Sequence, residues 1–280
     1  MSISKEEFPI VYLRPPRGWS ALNLGDLWRY RELIYFMTLR DIKVRYKQAV
    51  LGIAWALIQP IVTMVIFNVI FNHLANIQAD NGIPYPLFSM AAILPWQLFS
   101  SALQRTTVSL TSNANLLTKI YFPRLIIPVA SVLAAMVDFL FSLLVLVGMM
   151  IYYHYWPTVM VLWLPLLVLL AVVTALAVGL WLSALNVQYR DVQQMVPFLI
   201  QIWMYASPVV YSATLIPTGR WRYIYGLNPL TGVINGFRWA LLGGQPPDTM
   251  FLISVVVVIM LLVSGLFYFR RMERVFADLV

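Results

Sequence analysis

The sequence predicts an all-α integral membrane protein with six transmembrane helices, an N-terminal amphipathic helix at the membrane interface, and a re-entrant pair of short helices between the fifth and sixth spans. Three observations predict it. Of the 280 residues, 61% are hydrophobic and 11% charged, with a mean hydropathy of +0.79, far from the roughly 25% charged residues of a soluble domain. Six stretches reach the length of about 20 predominantly apolar residues that a helix needs to cross a hydrocarbon core about 30 Å thick. The 19 Lys and Arg also alternate between the loops, with sixteen on one face and three on the other.

Residues 1–48 form the first element, a cytoplasmic segment, and residues 49–280 the transmembrane domain. The segment is polar and basic, with RPPRG at Arg14 to Gly18. No apolar run followed by a small-residue cleavage site marks a removable signal peptide, so the first span is expected to double as the targeting signal. From Asp26, a helix-capping residue type, to Gln48 the chain mixes aromatics with Arg29, Arg31, Arg40, Lys43, Arg45 and Lys47. That mixture suits a helix lying on the inner membrane surface, its cations against lipid phosphates. It serves either as a plain anchor or as a collector of an anionic lipid-linked substrate.

The spans follow at about Leu51–Asn72, Leu87–Leu110, Ile126–Tyr152, Val159–Asn186, Val192–Leu215 and Thr249–Phe269. With the N-terminus inside, sixteen basic residues face the cytoplasm, and only Arg220, Arg222 and Arg238 face out. The positive-inside bias therefore puts both termini in the cytoplasm. The formal charge of +8 would suggest nucleic acid in a soluble protein; here it is topogenic, and no nucleic-acid partner is expected.

Between the second and third spans the chain reads LTKIYFPRLIIP, Leu117 to Pro128. Residues Asn113 to Tyr121 are expected to form a short cytoplasmic helix presenting Leu116, Leu117, Ile120 and Tyr121. An apolar knob pointing away from the bilayer suits docking to another protein. Within the third span Asp138 is costly in hydrocarbon and calls for a partner, for which Arg105 is the candidate, although snorkelling also accounts for that arginine. After the fourth span, Asp191 and Gln194 have capping-box spacing for the fifth helix, which leaves Tyr189 and Arg190 at the inner mouth.

From Ile216 to Asp248 run 33 apolar and aromatic residues interrupted by Gly226, Asn228, Pro229, Gly232 and Gly236. This is too short for two more spans and too apolar for an ordinary loop. Two short re-entrant helices turning at about Asn228-Pro229 fit it, and such backbone is tolerated only against protein or a water-filled path. Arg220, Trp221, Arg222, Tyr223, Asn228, Pro229, Phe237, Arg238 and Trp239 are the expected outer-gate residues, the arginines set to meet lipid phosphate.

The chain has no cysteine, which excludes thiolate and iron–sulfur chemistry. It also lacks a Gly-x-x-x-x-Gly-Lys-Ser/Thr phosphate loop and any hydrolase or zinc-protease motif, so a catalytic role is not expected.

YKQAVLGIAWALIQP (Tyr46–Pro60), ILPWQLF (Ile93–Phe99), TKIYFPRLIIP (Thr118–Pro128), LNVQYRDV (Leu185–Val192), SPVVY (Ser207–Tyr211) and LNPLTGVINGFRWALLG (Leu227–Gly243) together give a sequence that resembles the permease subunits of ABC-2 type polysaccharide exporters, the O-antigen, teichoic-acid and capsule group. The resemblance covers Leu27 to the end. It implies a homodimer with two separate ATP-binding cassette subunits, exporting an undecaprenyl-linked polysaccharide, O-antigen-like, across the bacterial inner membrane. ATP and Mg would be bound by those partners, with no cofactor on this chain. It further implies that Asn115, Leu116, Lys119, Tyr121, Phe122, Pro123 and Arg124 belong to an ATPase-coupling segment. Leu51 and Gly52 would cap the channel entrance beside Arg40, Lys43, Arg45, Lys47, Tyr189 and Arg190. The alternatives are an ABC-2 permease for a smaller lipid or drug, and a membrane enzyme acting on lipid-linked sugars.

Overall fold

The computed structural model describes residues 24–47, 52–77, 79, 82–120, 122–216, 219–273 and 276. Eleven α-helices are seen among them. They are α1 (Leu24–Arg29), α2 (Arg31–Lys47), α3 (Gly52–Phe67), α4 (Tyr85–Ser112), α5 (Ala114–Lys119), α6 (Ile126–Tyr152), α7 (Leu164–Gln188), α8 (Val192–Tyr205), α9 (Arg220–Gly226), α10 (Pro229–Leu242) and α11 (Thr249–Met272). A π-helical turn, Asn68–Leu74, continues α3, and a 3-10 turn, Val159–Trp163, leads into α7.

Among the described residues, five helical stretches are long and apolar enough to cross a membrane: Ala54–Leu74, Tyr85–Ser112, Ile126–Tyr152, Val159–Gln188 and Thr249–Met272. Among these α4 is the central one. Inside the molecule 78% of its most apolar stretch is buried, against 22–33% for the others, whose outer faces carry exposed Ile, Val and Leu such as Ile66, Leu144 and Leu166. Such faces suit hydrocarbon, where backbone polar groups are closed within the helix.

The fifth apolar segment departs from expectation. As a helix it lasts only 14 residues, about 21 Å at 1.5 Å per residue, short of a full span. Pro208 accounts for the stop, because it has no N–H and its ring excludes the carbonyl four residues back. The turns beyond nevertheless continue along α4. Just before the segment's start Asn186, near the end of α7, donates from Nδ2 to Thr111 Oγ1 (3.3 Å), near the end of α4. At its far end the Tyr85 hydroxyl, on the first residue of α4, donates to the Val210 carbonyl (2.8 Å). Residues 192–210 therefore run the length of the central helix.

This return is required by topology. Trp181 of α7 stacks on Tyr268 of α11, with centroids 4.4 Å apart, and donates from Nε1 to Ser264 Oγ (3.3 Å). The C-terminal halves of the two helices thus meet, α7 and α11 run parallel, and the chain between them must travel back.

Two hydrophobic clusters hold the bundle. The larger surrounds α4 with α6, α7, α8 and α10. The smaller, at the end carrying α5, joins Met37 of α2, Leu117 of α5, Phe122, Leu125 and Ile126 at the start of α6, Leu180 and Ala184 of α7, and Phe269 and Phe276. At the opposite end every residue of α10 is buried except Asn235 and Trp239. Its close approach to α11 requires a glycine, because a Cβ on Gly232 would lie 2.7 Å from the Ser254 Cβ. Small residues bring membrane helices together in this way.

Candidate functional site

The α5 end divides the residues assigned to coupling. Asn115, Thr118, Lys119 and Ile120 are exposed, and Leu116 is half-buried. Leu117, expected on the outside, is buried in the smaller cluster with Phe122, because a six-residue helix between two spans must anchor one of its apolar positions. Pro123 and Arg124 are half-buried. The Arg124 amide donates to Glu273 Oε1 (3.1 Å), and its guanidinium donates to the Glu273 carbonyl and lies 6.0 Å from the Phe276 ring. Tyr121 lies outside the described residues.

The entry residues separate as well. The helix expected to open at Asp26 is two helices broken at Tyr30, and α1 begins two residues earlier, at Leu24. The apolar side chains of α2 lie on more than one face. Met37 is buried and Thr38 approaches the Ala130 carbonyl of α6 (3.5 Å), while Tyr35, Phe36 and Val44 are exposed on other sides. Arg40 pairs with its neighbour Asp41 (2.8 Å), and Lys43 and Lys47 are exposed. Tyr189 and Arg190 are exposed after α7, and Gln188 Nε2 donates to the Tyr189 hydroxyl (3.1 Å). Gly52 opens α3, and Leu51 lies outside the described residues.

Asp191 stands at the N-cap of α8 without a side-chain capping bond. The cap comes instead from buried Asn186, whose Oδ1 accepts from the Gln193 amide (3.0 Å). A residue at the end of one helix thus closes the start of the next, which local spacing does not reveal.

The charged centre of the bundle is Asp138 in α6. Arg105 of α4 reaches its Oδ2 at 2.5 Å, as expected, but Arg45 of α2 reaches the same oxygen at 2.6 Å. The Tyr46 hydroxyl donates to Oδ1. Burial, then the hydrogen bond to Asp138, pushes the Tyr46 phenol above its ordinary range, so it remains a donor. Arg45 therefore belongs to an ion-pair network that joins α2, α4 and α6, a different place from the free lipid-facing surface of α2. Beside the network lies a cavity of about 170 Å³ lined by Gln59, Gln97, Ser100, Ser101, Gln104 and Ser142, with Arg45, Arg105 and Asp138 at its charged end.

At the opposite end, α9 and α10 are the two short helices expected, joined at Asn228. Its Oδ1 accepts from the Leu230 amide (3.1 Å) and from Trp203 Nε1 (3.0 Å). Its Nδ2 donates to the Ala206 carbonyl (3.1 Å) and Ser207 Oγ (2.9 Å), so one side chain caps α10 and closes the broken end of α8. Pro229 and Phe237 are buried, Phe237 edge-on to Phe139 at 6.1 Å, and Trp239 meets Trp163 at 6.3 Å.

Arg220, Trp221 and Tyr223 are exposed. Arg222 pairs with Asp248 (3.0 Å), which also accepts from the Met250 amide at the start of α11 (3.0 Å). Arg238 differs most from expectation. It is 6% exposed, lies 3.6 Å from the Phe88 ring centroid, and donates to the carbonyls of Phe88 (3.4 Å), Tyr211 (3.1 Å) and Val209 (2.9 Å). Its charge is used internally, on the Val209 and Tyr211 carbonyls beyond the broken helix and on the Phe88 carbonyl of α4. An arginine among apolar neighbours next to a Pro-broken segment was the available signal for this role.

Residues 32–242 match the model of the ABC-2 type transporter family. The chain is 30% identical over 259 residues to an O-antigen export system permease protein of Klebsiella pneumoniae, covering 92% of this chain and 97% of that protein. It is 29% identical over 252 residues to the like-named protein of Myxococcus xanthus, covering 89% and 96%. A polysialic acid transport protein of Escherichia coli is 25% identical over 211 residues, 74% of this chain and 80% of its own length.

Proposed function

Since this chain belongs to the ABC-2 type transporter family, we propose that it is the membrane subunit of an ATP-driven exporter that moves an undecaprenyl-linked polysaccharide, O-antigen-like, across the bacterial inner membrane. The observation that carries this reading is similarity along nearly the full length of O-antigen export permeases. The chain works as a homodimer with two ATP-binding subunits, which hold ATP and Mg and perform the hydrolysis.

Both termini lie in the cytoplasm, and residues 192–210, the fifth apolar segment in chain order, bring the crossings to six. The run of this segment along α4 supports that count. Its broken backbone is closed by Asn228 and Arg238, the condition under which irregular chain is tolerated at membrane depth. On the outer side, α9 and α10 dip back as the gate, with Arg220, Trp221 and Tyr223 at its exposed rim.

The exposed tip of α5 meets the ATPase. Leu117 supports this role, because it shares one packed cluster with Met37 of α2, Ile126 of α6 and Phe269 of α11. A push on α5 therefore reaches the interface helix and the spanning helices α6, α7 and α11 together. Packed clusters of this kind transmit displacement because close-packed interiors deform little. The exposed cations Lys43, Lys47 and Arg190 collect the anionic lipid head.

Deleting the gene and complementing it tests the reading. Surface glycan should disappear and return with the intact chain, while lipid-linked glycan accumulates inside in the deletion strain. Unchanged surface glycan in the deletion strain refutes it.

A further inference from the structure

The cavity beside Asp138 is polar where its surroundings are not. Gln97, Ser100, Ser101 and Gln104 fall on one face of α4 at helical spacing, rising about 10 Å from mid-helix toward the α5 end, and Gln59 of α3 faces them across the cavity. The Gln59 and Gln104 amides are exposed and make no hydrogen bond among the described residues. An amide left unpaired in hydrocarbon is costly, so this wall meets something polar.

The charged end is already engaged, since two guanidiniums and the Tyr46 hydroxyl all bind the one Asp138 carboxylate. What remains open is neutral: the Gln59 and Gln104 amides, the Gln97 amide nitrogen, and the lone pairs of the Ser100 and Ser101 hydroxyls, whose protons go to the Gln97 and Leu98 carbonyls. Such groups match a neutral polyhydroxylated ring, which both donates and accepts, better than a phosphate, which only accepts at its charged oxygens.

Resting on the export reading above, we propose that this cavity is a sugar-ring subsite of the translocation path, where Gln59, Gln97, Ser100, Ser101 and Gln104 replace the water shell of a passing glycan unit. Neutral partners suit conduction, because a site must be favourable enough to enter and weak enough to leave. The Asp138 network keeps the two arginines off the chain, so that an anionic residue of a polymer is not trapped there.

The test uses the full chain in its native complex in cells making radiolabelled glycan. A diazirine amino acid at position 104 or 101 should crosslink to glycan, whereas one at Leu169, on the exposed face of α7, should label acyl chains. The double substitution Gln59→Leu with Gln104→Leu should slow export roughly fivefold or more, in line with the loss of hydrogen-bonding partners, at unchanged chain abundance.

Normal export by the double variant, or label at 104 and 101 found only on lipid, on phosphate-bearing head groups or on a second copy of the chain, overturns the subsite. If export instead survives deletion of the chain itself, the export reading fails. Should the double variant not accumulate, the crosslinks alone decide.

Discussion

The Arg45 guanidinium in α2 lies 2.6 Å from the Asp138 carboxylate in α6, 93 residues away in sequence, and ties α2 to the helical bundle. Arg105 and Tyr46 complete the carboxylate's shell. Asp138→Asn leaves two cations facing each other. Breaking a fully buried pair costs several kcal/mol, and the partial exposure of Arg45 reduces this, so we expect a loss of about 1–3 kcal/mol. A double-mutant cycle with Arg45→Gln, read as thermal stability of the purified chain, should give coupling of about 1 kcal/mol. Strict additivity would show that the pair is not formed.

Arg238→Met removes the donors to three main-chain carbonyls and the contact with Phe88. Buried carbonyls left without partners are costly, and we expect about 3 kcal/mol of destabilisation. Arg238→Lys should recover only part of it, since a single ammonium does not reproduce the planar fork. Thermal melting of the three proteins checks this, and a Lys variant as stable as the parent would contradict the geometry.

The approach of α10 to α11 at Gly232 predicts a compensating pair. Gly232→Ala brings a methyl group to 2.7 Å from the Ser254 Cβ and should cost about 1–3 kcal/mol. Adding Ser254→Gly makes room but forfeits the Ser254 Oγ bonds to the Gly226 carbonyl (2.9 Å) and the Gly232 amide (3.2 Å), so recovery should be partial. Protease resistance of membrane-embedded protein gives a readout.

Lys119→Glu lies on the exposed tip of α5 and should leave the chain folded. We expect it to lower glycan export about tenfold, the effect of roughly 1.4 kcal/mol at a charged contact, while the partner's ATP hydrolysis persists. Export, ATP turnover and co-purification are measured together, and unchanged values of all three would remove α5 from the coupling interface.

The chain's lack of native cysteine makes labelling at the α9 end direct. Ile224 is 56% exposed, whereas Leu230 and Ile234 are fully buried. A cysteine at 224 should react readily with an impermeant maleimide applied outside, and those at 230 and 234 slowly, faster during ATP turnover. Equal reaction at all three, independent of turnover, would mark 217–243 as an ordinary surface loop.

Sequence alone determined the all-helical membrane class, the break after α4, and a turn at Asn228-Pro229 between two short helices. These rest on apolar run length and on residues that cannot continue a helix, both local properties. Its bounds for α6, Ile126 to Tyr152, coincide with the structure. The Arg105–Asp138 pair was also legible, since a buried acid demands a cation and few are near.

Tertiary structure alone decided that Arg45 and Tyr46 join that pair, that Arg238 turns inward, that Asn186 rather than Asp191 caps α8, and that the fifth apolar segment travels along α4 partly without helix. The physical reason is common to all four. Hydrophobic length places a segment in the bilayer, but a polar group takes whichever partner the packing of helices brings within about 3 Å, and that packing joins residues far apart in the chain.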